Sequence, residues 1–118
     1  MKLIIAGSRN INPTPEYMDD LMNGLQTFHQ RKITSVISGR ARGVDRAGEA
    51  WAKRQGIPVD PYPADWTLGK RAGHLRNEQM ARAGDALVLI WDGKSKGSAS
   101  MLKFAKKYKL LVQEVIIP

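Results

Sequence analysis

Five short apolar runs alternate with four stretches of helical periodicity, and that alternation restricts the fold more than any other feature of this chain. The runs are Lys2–Ala6, Ile33–Ser38, Ile57–Pro61, Ala86–Trp91 and Leu110–Ile117. Each has strand length and carries β-branched or aromatic residues. The first four are almost continuously hydrophobic, the pattern of strands covered on both faces. Strands joined through single helices need right-handed crossovers, so the expectation is an open, mainly parallel five-stranded α/β sheet with helices on both faces. Gln113 and Glu114 interrupt the last run, as suits an edge strand.

The first helical stretch opens with Thr14 as N-cap and Pro15 at the first helical position, followed by Glu16, Asp19 and Asp20 near the positive end of the dipole. Met18, Leu21, Met22, Leu25 and Phe28 form its apolar stripe. The second stretch covers Val44–Gln55 and stops at Gly56, with Val44, Ala47, Trp51 and Ala52 inward. The third covers Arg71–Ala83 before Gly84, on a thin apolar face of Ala72, Leu75, Met80 and Ala83. The fourth spans Ser98–Tyr108, with Met101, Leu102, Ala105 and Tyr108 inward and Lys103, Lys106 and Lys107 outward.

No linker or repeat divides the 118 residues, so one domain over residues 1–118 is expected. The absence of cysteine excludes disulfides, thiolate metal sites and cysteine nucleophiles. With only His29 and His74 besides, neither a metal nor a cofactor is expected. No apolar run approaches the roughly 18 residues of a membrane span. The apolar start after Lys2 is too short for a signal peptide, which makes the cytoplasm the expected compartment.

Ligands of open α/β sheets bind beyond the carboxyl ends of the strands, and the loops there are unusual in this chain. Gly7-Ser8-Arg9 follows the first strand and Ser38-Gly39-Arg40-Ala41-Arg42-Gly43 the second. Asp65, Trp66, Gly69, Lys70 and Arg71 follow the third, and Asp92-Gly93-Lys94-Ser95-Lys96-Gly97-Ser98 the fourth. Arg76 and Asn77 lie one turn into the third helix. Glycines let backbone N–H groups approach a ligand, and helix N-termini add partial positive charge, so this edge is expected to bind phosphate or carboxylate. A net charge of +8 points the same way. Trp66 is placed to stack a base or ribose, whereas Trp91, closing a strand, and Trp51, on a helix stripe, read as core. Gly7-Ser8-Arg9-Asn10-Ile11-Asn12 lacks the later glycines of a dinucleotide fingerprint, and Gly93-Lys94-Ser95 lacks the earlier glycine of a phosphate loop, which disfavours a dehydrogenase or NTPase.

These loops resemble those of a known family. Ala6-Gly7-Ser8-Arg9, Ile37-Ser38-Gly39-Arg40-Ala41-Arg42-Gly43-Val44-Asp45-Arg46, Ala64-Asp65-Trp66 with Gly69-Lys70, Arg76-Asn77-x-x-Met80 and Trp91-Asp92-Gly93-x-Ser95-x-Gly97 are similar to the YspA-like branch of the SLOG superfamily. The resemblance implies a Rossmann-like fold that binds nucleotides or nucleotide-derived ligands. It places Gly7 and Ser8 on the pocket floor and Ser38, Gly39 and Gly43 in the glycine-rich turn. Arg76 takes the place of the arginine in the Arg-Lys-x-x-Met motif of the superfamily's phosphoribohydrolases. Gly97 and Ser98 match the Gly-Thr of their phosphate-cradling loop, and Met101 then stands where those enzymes carry a catalytic glutamate. Arg40 stands where a glycine or small residue is typical.

A thioether can neither accept a proton nor stabilise an oxocarbenium-like ribose, so the leading expectation is a binding module. It is a sensor or sequestering protein for a nucleotide-derived signal, held by Gly7, Ser8, Arg9, Ser38, Gly39, Arg40, Gly43, Asp45, Asp65, Trp66, Lys70, Arg76, Asn77, Asp92, Ser95, Lys96, Gly97 and Ser98. The alternative is cleavage of the N-glycosidic bond of a nucleoside monophosphate, with Arg76 and Asp65 as its catalytic candidates and Asp92 or Glu78 as other carboxyls. Single-stranded nucleic-acid binding is a third. A homodimer or higher oligomer is implied by the family and by the thin apolar face of the third helix, and no membrane partner is expected.

Overall fold

The computed structural model describes residues 1–25 and 32–118. Phe28, assigned above to the first helix stripe, and His29 lie outside the described residues. The strands are β1 Lys2–Gly7, β2 Ser35–Ser38, β3 Val59–Pro61, β4 Ala86–Trp91 and β5 Leu111–Ile116. The α-helices are α1 Pro15–Gly24, α2 Val44–Arg54, α3 Ala72–Ala83 and α4 Lys96–Lys107. The sheet runs in the order β3-β2-β1-β4-β5, and every pair is parallel. This is the Rossmann-like arrangement, with β5 at an edge.

Successive residues of a strand face opposite sides, and the central strands use both. Leu3, Ile5, Val88 and Ile90 pack with Met18 and Met22 of α1 and Val44, Trp51 and Ala52 of α2. Ile4, Ala6, Leu87 and Leu89 point the other way, onto Met80 and Ala81 of α3 and Met101 and Ala105 of α4. Trp91 also belongs to that second core, its Nε1 donating to Glu114 at 2.7 Å. Both tryptophans assigned to the core therefore lie there.

Several element ends differ from the sequence reading. β2 begins at Ser35 because its ladder with β1 starts opposite Lys2. Upstream, Thr34 bonds to Met1 instead. Ile57 closes the end of α2 on Ala52 before β3 begins. Trp66, expected in a loop, opens a short 3-10 helix, Trp66–Arg71, capped by Asp65 and kinked at Gly69. Leu75, assigned to the buried face of α3, is 41% exposed, because that helix packs through Ala72, Arg76, Asn77, Met80 and Ala81. α4 begins at Lys96, two residues before the expected start, which puts Gly97 and Ser98 in its first turn.

From β1 the chain proceeds to β2 and β3 on one side of the sheet, and β4 then returns beside β1 and leads to β5 on the other. The carboxyl ends of β1 and β4 are thus the switch point where a crevice opens. Among the described residues no helix is long and apolar enough to cross a membrane.

Candidate functional site

The crevice is assembled from the loop ends at that switch point. Gly7 lies opposite Ile90 in the ladder, and the Ser8 amide donates to the Ile90 carbonyl at 3.1 Å. The buried Ser8 hydroxyl accepts from the Asp92 amide at 3.3 Å and reaches Ser95 Oγ at 3.4 Å. These bonds tie the loop after β1 to the loop after β4. Asp92 Oδ1 in turn accepts from the amides of Lys94 and Ser95 at 2.8 and 2.9 Å. Those amides hold the Asp92 carboxyl below its ordinary range and turn the chain into α4. A cavity of about 400 Å³ lies here, bounded by the first turn of α4. Ser98, on that turn and only 5% exposed, has a buried hydroxyl with no hydrogen-bond partner among the described residues.

The opposite wall comes from α2 and α3. Arg76 is 8% exposed, yet no ion pair among the described residues includes it. Its Nη1 donates to the Gly39 carbonyl, and more weakly to that of Tyr62 at 3.4 Å. Its Nε donates to Asn77 Oδ1 at 3.0 Å. Asn77 Nδ2 reaches the Gly97 carbonyl and Ser100 Oγ, both at 3.3 Å, so α3 grips the first turn of α4. Burial lowers the Arg76 pKa, nearby Asp45 opposes that, and the charge of Arg9 adds to it.

Asp45 lies in the first turn of α2 and is 5% exposed. Its Oδ2 accepts from the Ala41 amide at 3.2 Å. Burial pushes its carboxyl up to about 6, against the pull of the Ala41 amide and Arg76. Gly39 is what allows these two groups to close on the turn. A Cβ there would stand 2.6 Å from Arg76 Nη1 and 2.9 Å from Asp45 Oδ2.

Beneath the turn is a second acid. Glu49 of α2 accepts from Ser38 Oγ at 2.6 Å and from Arg40 Nη1 at 2.9 Å, while Ser38 Oγ accepts the Arg40 amide at 3.1 Å. Arg40 has φ 66°, the left-handed region that favours glycine. The Glu49 ion pair offsets the strain here.

A second lobe, about 610 Å³, continues from the first past Arg9, Ala41, Arg42 and Arg76, which line both. Its far wall is Pro63, Ala64 and Trp66. Trp66 is 58% exposed, and the Arg9 guanidinium lies 5.7 Å from its ring centre.

Of the residues singled out in the sequence, Gly7, Ser8, Arg9, Asp45, Arg76, Asn77, Asp92, Ser95, Gly97 and Ser98 converge on the first lobe. Gly39, Arg40 and Trp66 line the second. Ser38 and Gly43 sit behind the turn rather than on the cleft surface. Asp65, Lys70 and Lys96 are exposed outside it. The Asp65 carboxylate caps the 3-10 helix through Thr67 N at 3.1 Å and Thr67 Oγ1 at 2.5 Å. Glu78 is engaged by Tyr108 and Lys107, away from the cleft. Among the described residues, the carboxyls lining the cleft are thus Asp45 and Asp92. Met101 forms part of the wall of the first lobe.

Glu49 and Asn10 were not legible as site residues. Glu49 reads as one more polar position on an amphipathic helix, and only the fold brings it under Ser38 and Arg40. Asn10 carries no motif.

Residues 1–69 match the YAcAr family, described as the YspA, cpYpsA-related SLOG family. The chain is also 34% identical over 113 residues to a protein of Mycobacterium phage D29 described as Gene 61 protein, covering 90% of this chain and 89% of that one. No solved structure matches it.

Proposed function

Because this chain belongs to the YspA, cpYpsA-related SLOG family, we propose that its cleft binds a nucleotide or nucleotide-derived phosphorylated small molecule, as a cytoplasmic sensor or sequestering protein. The observation that carries this reading is the first turn of α4. Gly97 and Ser98 of that turn line the cavity, and among the described residues the buried Ser98 hydroxyl has no partner, an arrangement suited to phosphate oxygens. Arg76 supplies a permanent charge on the opposite wall, fixed in place by two carbonyls and Asn77. Exposed Trp66 offers a face for a base. A homodimer or higher oligomer belongs to the same reading, supported by Leu68 of the 3-10 helix and Leu75 of α3, which stay exposed.

Calorimetric titration with a panel of nucleosides and their phosphates tests the proposal. Phosphorylated forms are expected to bind below millimolar and the free nucleosides far more weakly. Equal or absent binding of both rejects it. A second reading, hydrolysis of the N-glycosidic bond of a nucleoside monophosphate, is favoured by Asp45, a cleft carboxyl that burial pushes up to about 6. Release of free base that disappears in Asp45→Asn supports that reading, and intact monophosphate after prolonged incubation excludes it.

A further inference from the structure

Three arginines meet where the two lobes join, and one phosphate does not account for them. Arg9, Arg42 and Arg76 line both lobes. The ion pairs among the described residues join Arg40 to Glu49, Arg54 to Asp19 and Lys107 to Glu78, so none involves these three. Asp45, whose Oδ2 also accepts the Ala41 amide, is among the described residues the one acid that favours the charge of Arg76. Burial lowers the Arg76 pKa most, and the charge of Arg9 lowers it further. Three cations facing one buried carboxyl leave an excess of positive charge in a partly buried cleft, a standing cost that a bound anion relieves.

This cluster is separate from the first turn of α4, which lines the first lobe alone through Gly97 and Ser98. The cleft therefore has two anion-attracting stations in series. Beyond the arginines comes a surface of different character, where Trp66, Pro63 and Ala64 present flat apolar faces. Arg9 at present covers the Trp66 ring. A base stacking there takes over that face and frees the guanidinium for a phosphate.

Resting on the nucleotide reading above, we infer that the ligand is a nucleoside diphosphate or an ester of one. It extends along the cleft with its base on Trp66, one phosphate among Arg9, Arg42 and Arg76, and the other at the first turn of α4.

The test compares mono- and diphosphates of the four common ribonucleosides, with inorganic pyrophosphate as a base-free probe, at one ionic strength. The best diphosphate is expected to bind about tenfold or more tighter than its monophosphate, the scale of one added charge-assisted contact. Arg42→Ala, a change at an exposed side chain, is expected to bring that ratio close to one. Trp66→Ala is expected to weaken the diphosphate without weakening pyrophosphate, because the Arg9 guanidinium is released from the ring. Equal affinity for mono- and diphosphate overturns this inference and leaves the nucleotide reading standing, as does a diphosphate preference indifferent to Arg42→Ala or to loss of Trp66. Binding of none of these phosphates overturns both.

Discussion

Asp45 is the residue whose chemistry departs furthest from its ordinary behaviour. Its carboxyl moves from 3.8 to about 6 because burial disfavours the ionised form more than Ala41 and Arg76 favour it. The folded protein thus holds this proton to higher pH than the unfolded chain does. The linked stability is present at low pH and is lost as pH rises between about 4 and 6, to a total of about 3 kcal/mol at most. Asp45→Asn removes the titration. Urea unfolding of wild type and variant is expected to show the variant gaining ground from pH 4 to pH 7.5, and a pH-independent difference contradicts the assignment. Glu49 makes a contrasting case, since its carboxylate satisfies both Ser38 and a left-handed Arg40. Glu49→Ala leaves the Ser38 hydroxyl and the Arg40 guanidinium without their acceptor, and a loss of about 2 kcal/mol is expected in the same unfolding assay.

At the scale of elements, the site depends on how tightly helices start. The α2 start is the most constrained. Its N-cap, Gly43, has φ 80°, and a Cβ there would stand 2.6 to 2.8 Å from the carbonyls of Ser8, Arg9 and Ile11. Those carbonyls belong to the loop that carries Arg9 into the cleft, so the turn after β2 and the loop after β1 are built against each other. Gly43→Ala must both adopt a strained φ and displace that loop. A loss of about 2 kcal/mol or more is expected, accompanied by weakened nucleotide affinity. The α1 start lies far from the cleft and behaves differently. Thr14 Oγ1 accepts from the Tyr17 amide at 3.1 Å. Thr14→Ala is expected to cost about 1 kcal/mol with unchanged ligand affinity. Thermal melts alongside titrations separate the two cases.

Over the whole molecule, the +8 charge leaves open an extended polyanion as partner, and ionic strength discriminates. A small ligand seated in the cleft meets a few cations, so its affinity is expected to fall less than about tenfold between 50 and 200 mM salt. A single-stranded nucleic acid crossing many basic side chains loses on the order of a thousandfold over that range. Competition between an oligonucleotide and the best nucleotide, followed across this range, assigns the charge its role. Lys103, Lys106 and Lys107 do not line the cleft, which α4 meets through Gly97, Ser98 and Met101.

The periodicity of this chain was enough to establish that its strands are parallel, that both faces are covered and that the glycine- and arginine-rich loops share one edge. Apolar residues at spacings of two and of three to four have few ways to leave water, and a βαβ crossover has one favoured hand. The family likeness was legible for the same reason, since the loop motifs are local. What only the tertiary structure decided is which loop residues face one another. Asp65, adjacent to Trp66 in sequence, turns back to cap its own helix, while Asp45, which reads as a helix-start residue, is buried in the cleft wall by Gly39 and Arg76. Glu49, Arg40 and Ser38 form one network only because α2 packs back across β2. Burial and charge pairing depend on neighbours distant along the chain, and no local spacing encodes them.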